Sequence, residues 1–342
     1  MKATYFLGPK TLETRQVSLR EPNANEVVIQ VAAAGICGTD VHIYHGEKGA
    51  SEVSPPVVLG HEYAGIVRQV GKNVTTLKPG DKVTVDPNTY CGKCRACRNG
   101  KKQFCEQMRG FGVNYDGGFQ EYSIVPENQA LRLNEDVDLE EGAMSEPLAC
   151  CLHGIDIAAI RPGDHVVVIG GGPIGQIMAQ LARLAGAATV TLSEPVAMRR
   201  ELALELGTDF VLDPMAGDLP LQLKAAIGLL GADVVIECVG RTSAVEQAFQ
   251  LTARGGSVLL FSVPSPEATV ALPLFDVFRK ELRVQGSLVN PCTHQRAVDL
   301  LNSHRLQVKP LITHRYGLEQ VQDAILRQIA ADSVKVIVTP QE

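Results

Sequence analysis

Four cysteines in one short segment are the sharpest chemical signal in this chain of 342 residues: Cys91-x2-Cys94-x2-Cys97-x7-Cys105. Lys93, Arg95, Arg98, Lys101 and Lys102 are interleaved with them, so the segment has no hydrophobic period and no core of its own. A bound metal supplies that order, and four thiolates around Zn²⁺ leave no open position, which is the pattern of a structural site. An iron–sulfur cluster is the second reading. The ferredoxin-type run closes with x3 and a proline, whereas this one closes with x7 and Glu106. Two further stretches, Gly35-Ile-Cys37-Gly-Thr39-Asp-Val-His42 and Gly60-His61-Glu62, read as loops. They carry a thiol, an imidazole and a carboxylate, the ligand types of a zinc that keeps a fourth position open for chemistry. Spacing alone does not bring Cys37 and His61 together.

A second chemistry stands at the chain's midpoint, in Val166-Val-Val-Ile-Gly170-Gly-Gly172-Pro173-Ile174-Gly175. β-branched residues form a buried strand that breaks into G-x-G-x-x-G and leads to an apolar-periodic helix over Ile174–Ala185. Gly170 permits the tight turn, Gly172 lets backbone approach a pyrophosphate, and Gly175 lets helix and strand pack closely. The helix N-terminus then offers free N–H groups to the phosphates. The next strand, Ala188–Ser193, ends at Glu194, about 20 residues on, where a ribose diol is held.

These groups need scaffolds of two kinds. Residues 1–90 alternate or run β-branched between Gly and Pro (Glu26–Ala33, Gly60–Gly71, Asp81–Asp86) and read as a β-rich half. After about Leu148 the pattern turns to alternation. Helices are expected over Arg199–Leu206, Leu219–Leu230 and Ser243–Ala253; strands over Asp209–Leu212, Asp233–Val239, Ser257–Val263 and Glu281–Leu288. Such alternation builds a doubly wound parallel sheet of the α/β class. Helices over His294–Ser303 and Leu318–Ala331 and a strand over Lys335–Thr339 complete the chain.

Composition excludes several classes. The chain is 45% hydrophobic and 20% charged, with net charge −6 and no basic stripe, so nucleic acid is not expected as a partner. No apolar run approaches the ~18 residues of a membrane span, and the N-terminus lacks a secretory h-region. A cytoplasmic location is expected. Cys150, Cys151, Cys238 and Cys292 sit among apolar residues and read as small core hydrophobes.

The order of these motifs, with Asp116-Gly-Gly-Phe-x-Glu-Tyr122 and Glu146-Pro added, resembles the zinc-containing medium-chain alcohol dehydrogenases. It is nearest the polyol branch, the sorbitol (L-iditol), xylitol, arabinitol and galactitol-phosphate dehydrogenases. The resemblance implies a GroES-like catalytic domain over 1–148 with the zinc lobe at 88–108. It further implies an inserted Rossmann domain over 149–288, a return over 289–342, and an active site in the cleft. Two zincs per chain and NAD are implied. Cys37, His61, Glu62 and Glu146 would serve the catalytic zinc, and Cys91, Cys94, Cys97 and Cys105 the structural one. Glu146 stands where alcohol dehydrogenases proper place a cysteine ligand, which points to a polyol. Zinc would lower the pKa of the substrate hydroxyl and the hydride would pass to nicotinamide. Thr39 and then His42 would carry the proton out, with His45 a weaker second candidate.

Cofactor contacts are expected at Gly170, Gly172, Pro173, Ile174, Gly175, Glu194, Arg199, Val263 and Leu288. Glu194 would repel a 2′-phosphate and so favours NAD, while Arg199 and Arg200 are the counter-evidence. Arg109 and Asn290 are expected to face substrate; His153, His165, His294, His304 and His314 are expected to be structural. The reaction implied is oxidation of a secondary hydroxyl of a sugar alcohol to a ketose. An L-threonine 3-dehydrogenase, a butanediol-type activity, a polyol-phosphate dehydrogenase and a dinucleotide-binding sensor remain as alternatives. A homotetramer or homodimer is expected, with Glu281–Leu288 as a pairing edge.

Overall fold

The computed structural model describes residues 1–47 and 53–341. The chain divides into two compact units, Met1–Ala149 with Asn290–Glu342, and Cys150–Val289.

The first unit is organised on Glu26–Gly35, whose Val27, Ile29, Val31 and Ala34 are all buried. A strand buried on both faces carries apolar residues without alternation. It pairs antiparallel with Glu62–Val70, which in turn pairs with Lys82–Val85. Its other edge is shared: Tyr122–Pro126 lies beside the first half, and Lys335–Thr339 beside Ala34 and Gly35. The register sets Gly35 opposite both Glu62 and Ile337. Three strands distant in sequence therefore end at one point, and the ligand-bearing stretches meet there.

Beyond that strand the chain does not loop. Gly38–His45 is an α-helix with Cys37 as its N-cap, so Thr39 and His42 are helical residues one turn apart. Asp40 makes the helix possible: its Oδ2 accepts the N–H of Cys37 at 2.8 Å, occupying a donor that the helix N-terminus leaves free.

The second unit is an α/β Rossmann-type layer of six parallel strands. They are β1 (His165–Ile169), β2 (Thr189–Ser193), β3 (Phe210–Leu212), β4 (Ala232–Glu237), β5 (Thr252–Leu260) and β6 (Arg283–Gly286). Their spatial order is β3-β2-β1-β4-β5-β6, so the direction of winding reverses on either side of β1. Ligands bind such sheets at the strand carboxyl ends beside that reversal.

Several expected boundaries shift. β5 begins at Thr252, because helix Thr242–Leu251 stops earlier than its apolar period suggests. Helix Leu219–Ile227 ends at Gly228 in the left-handed region. The expected Leu318–Ala331 helix is a 3₁₀ turn over Leu318–Gln320 followed by α-helix Val321–Gln328. A short helix, Leu274–Lys280, precedes β6 where the sequence offered no clear period, and none of its residues is buried. Among the described residues, no helix is long and apolar enough to cross a membrane.

Candidate active site

The convergence at Gly35 assembles a group of side chains that could hold a metal ion. One ligand atom from each of Cys37, His61 and Glu62 falls within 4.8 Å of the others. Thiolate, imidazole and carboxylate make a mixed donor set of three, the composition of a catalytic zinc with room for substrate. His61 is oriented from behind: its Nδ1 lies 3.8 Å from Asp40 Oδ1, and both atoms are buried without a hydrogen-bond partner. Facing Asp40 with Nδ1 leaves Nε2 as the nitrogen to ligate, the usual arrangement of a metal-bound histidine. Burial works against charging His61, yet the charges of Cys37, Asp40 and Glu146 outweigh it and hold the imidazole well above its ordinary value.

Glu146, in the first turn of helix Ser145–Ala158, is buried and close enough to act on His61, but it stands outside the three-ligand group. Glu62 is buried as well, paired with the ammonium of Lys335, which also donates to the Ile36 carbonyl at 2.9 Å. Sequence reading missed Lys335 and Asp40. The signal for Asp40 was its place three residues after a helix N-cap. For Lys335 it was a lone cation opening the apolar strand Lys335–Thr339.

Thr39 and His42 are half-buried on the helix that follows Cys37, and His42 Nδ1 contacts Glu47 Oε2 at 2.5 Å. Arg109 is exposed, its guanidinium bonded to the Met108 carbonyl. Asn290, expected to face substrate, is instead fully buried. It accepts from Asn88 at 2.6 Å and contacts His294 and Asp86, because this is how segment 290–294 is fastened to the end of strand Lys82–Val85. His294 is structural in that network. Cys292 is exposed and not a core residue.

The second group that could hold a metal ion is Cys91, Cys94, Cys97 and Cys105, whose sulfurs lie within 4.8 Å of one another. The backbone N–H groups of Lys93 and Cys94 point at Cys91 and pull its thiol down to about 6, so a thiolate is ready to ligate near neutral pH. Four converging sulfurs fit a structural zinc.

In the second unit, Gly170 takes φ +102° to turn the chain from β1, Gly172 is the N-cap and Pro173 the first residue of helix Pro173–Leu184. A Cβ on Gly175 would lie 1.8 Å from the Gly170 carbonyl oxygen, so no side chain fits there. Ile174 follows Pro173 in the same turn, and the free N–H groups of this end suit a pyrophosphate. At the end of β2, Glu194 Oε2 accepts the Gly171 N–H at 2.6 Å and Oε1 the Val196 N–H at 2.9 Å. Arg199 lies 3.9 Å from that carboxylate. Arg200 is committed to the Glu194 and Pro195 carbonyls and to Asp213. Val263 and Leu288, past the ends of β5 and β6, are exposed.

Residues 23–135 match the alcohol dehydrogenase GroES-like domain and residues 173–303 the zinc-binding dehydrogenase domain. The chain belongs to the zinc-type medium-chain dehydrogenases. The 2-dehydro-3-deoxy-L-galactonate 5-dehydrogenase of Pseudoalteromonas atlantica is 36% identical, over 95% of this chain and 94% of that protein. The L-threonine 3-dehydrogenase of Caldanaerobacter subterraneus is 37% identical over 92% of each chain. The sorbitol dehydrogenase of Halalkalibacterium halodurans is 35% identical over 93% of each. A solved zinc-binding dehydrogenase of Sinorhizobium meliloti, bound to NADP, superposes with a TM-score of 0.95 at 42% identity, over 99% of both chains. This dehydrogenase is therefore a zinc enzyme that uses a nicotinamide dinucleotide.

Proposed function

We propose that this dehydrogenase oxidises a secondary hydroxyl of a sugar alcohol to a ketose, with NAD as acceptor. The observation that carries the substrate class is the commitment of Lys335 to Glu62. The buried ammonium beside the candidate ligands is thereby withdrawn from any substrate carboxylate, which favours a neutral polyol over threonine or a sugar acid. Bound zinc would supply Lewis acidity at the hydroxyl and NAD the hydride acceptor. Cys37, His61 and Glu62 would hold the metal, Asp40 would orient His61, and Glu146 would complete the anionic wall. Thr39 would accept a hydrogen bond from the substrate hydroxyl while handing its own hydroxyl proton on toward His42, and His42, braced by Glu47, would pass a proton to solvent. A second reading, L-threonine 3-dehydrogenase, is favoured by the 37% identity to an enzyme of that name.

Glu194 supports NAD over NADP, because a buried carboxylate at the end of β2 opposes a 2′-phosphate while Arg200 is already engaged. The S. meliloti protein's NADP is the opposing indication. A homodimer or homotetramer fits β6, an edge strand whose Val284 is exposed, beside exposed Leu274, Phe275 and Phe278. Nine free cysteines suit the reducing cytoplasm.

The test combines zinc analysis with a substrate panel. The wild type should hold about two zincs per chain and Cys37→Ser about one, with activity lost. Pentitols and hexitols should outrun L-threonine, butanediol, sugar acids and polyol phosphates, and NAD should exceed NADP by about tenfold or more in kcat/KM. L-threonine at the head of the panel would replace the polyol reading with the second one.

A further inference from the structure

The last residue of β4 is a glutamate with no task in the reading above. Glu237 is 1% exposed and, among the described residues, forms no ion pair. Its Oε1 accepts the N–H groups of Val239 and Gly240 at 2.6 and 2.8 Å, and its Oε2 accepts the Ser262 hydroxyl at 2.5 Å. A buried carboxylate kept out of water needs compensation, and here two loops supply it. One is Cys238-Val239-Gly240, after β4; the other is Ser262-Val263, after β5. The first loop also leans on the phosphate turn, since a Cβ on Gly170 would meet Val239 Cγ2 at 2.8 Å.

This arrangement repeats, on the other side of β1, what Glu194 does at the end of β2, where a carboxylate binds the Gly171 and Val196 N–H groups. β1 is flanked by β2 and β4, so the two glutamates stand on either side of the strand that carries the glycine-rich turn. In a doubly wound sheet each half serves one mononucleotide, and the acid after the second strand belongs to the adenosine half. The β4-β5-β6 half is left for the nicotinamide riboside, and its rim is the pair of loops that Glu237 ties together.

We propose that Glu237 is the positioning residue for the nicotinamide half of the cofactor, acting through the loops at Val239–Gly240 and Ser262–Val263. It needs only the dinucleotide site and is independent of the substrate. Its carboxylate fixes both loops before the cofactor arrives, so binding does not have to order them.

Dissociation constants for NADH and for ADP, which lacks the nicotinamide riboside, test this on the zinc-loaded full chain. Glu237→Leu should weaken NADH by about tenfold or more and leave ADP within about twofold. Ser262→Ala, which removes the side-chain bond between that loop and the carboxylate, should weaken NADH by about threefold with the same indifference to ADP. Glu237→Gln keeps an acceptor for the two N–H groups and can donate to the Ser262 hydroxyl, so it should restore most of the affinity. If Glu237→Leu does not fold, Ser262→Ala and Glu237→Gln carry the decision. Equal weakening of NADH and ADP would make Glu237 a general support of the sheet and overturn the proposal. So would NADH binding unchanged in Ser262→Ala and in Glu237→Leu.

Discussion

The ammonium of Lys335 closes on the carboxylate of Glu62 across 273 residues of chain, and both side chains are 2% exposed. Neither charge has access to water, so each depends on the other for its solvation. Burial pushes the Lys335 amine down, but Glu62, Cys37 and Asp40 more than reverse this and hold it charged. The pair fastens the returning strand Lys335–Thr339 to the end of Glu62–Val70 that carries the candidate ligand Glu62. Stability and ligand placement therefore share one contact.

Lys335→Met should expose that dependence. Removing one partner of a buried pair leaves an uncompensated charge, a loss of about 3–5 kcal/mol. We expect a lower Tm, a catalytic zinc site that empties under mild chelation, and retention of the zinc on the four cysteines. Lys335→Arg should keep most of the stability. A Met variant with wild-type Tm and full zinc content would show that Glu62 needs no counter-ion.

The four-cysteine lobe and the glycine-rich turn were legible in the sequence because their partners are near neighbours in the chain. Cys91 and Cys105 belong to one short segment, and the turn from β1 into helix Pro173–Leu184 is local. The group of Cys37, His61 and Glu62 was legible as residue types but not as a place. Cys37 and His61 meet because Glu26–Gly35 and Glu62–Val70 pair so that Gly35 lies opposite Glu62, which spacing does not reveal. Lys335 was hidden for the same reason, as its partner lies on a strand joined late in the chain. Asn290 was expected to face substrate and is buried instead. Its burial follows from a tertiary network with Asn88 and His294 that leaves no local trace.

Asp40→Asn tests the orientation of His61. The amide keeps an acceptor for the Cys37 N–H, so the helix start should survive, but the charge facing His61 Nδ1 is lost. Loss of such a partner typically weakens a metal site by about 10–100-fold. Competition with a zinc chelator should show that drop at one of two sites, with little change in Tm. Unaltered zinc affinity would remove Asp40 from the site's working parts.

Asp86 and His294, 3.9 Å apart, give a pH prediction of opposite signs. Burial lifts the Asp86 carboxyl to about 6, although the Asn88 N–H, Asn290 and Lys102 draw it back. Burial also drives His294 down to about 3. Between about pH 4 and 6 the folded chain holds the Asp86 proton more tightly than the unfolded chain, so this group's contribution to stability falls as pH rises. Between about pH 6.5 and 3 the unfolded chain takes up a proton that folded His294 refuses, so stability falls as pH drops. The two slopes oppose each other over pH 4–6. Asp86→Asn removes the first, so the variant should gain about 2 kcal/mol at pH 7 and lose stability more steeply on acidification. Urea unfolding at pH 4, 5, 6 and 7 measures both. Parallel curves for variant and wild type would mean that Asp86 carries no buried charge.

Two glycines of one turn should fail in different ways. At Gly175 an added Cβ would strike the Gly170 carbonyl at 1.8 Å, so Gly175→Ala must push helix Pro173–Leu184 off β1. We expect a loss of about 1–3 kcal/mol together with loss of NADH binding, while both zincs remain. At Gly172 an added Cβ meets nothing within 4 Å and φ is −68°, so the fold itself tolerates Gly172→Ala. What the methyl group occupies is the space over the helix N-terminus where a pyrophosphate would approach. That variant should keep its Tm and its zinc yet bind NADH at least about tenfold more weakly. Wild-type NADH affinity in Gly172→Ala would mean that the pyrophosphate does not lie against this turn, and the cofactor would have to enter the sheet elsewhere along the carboxyl ends of β1 and β4.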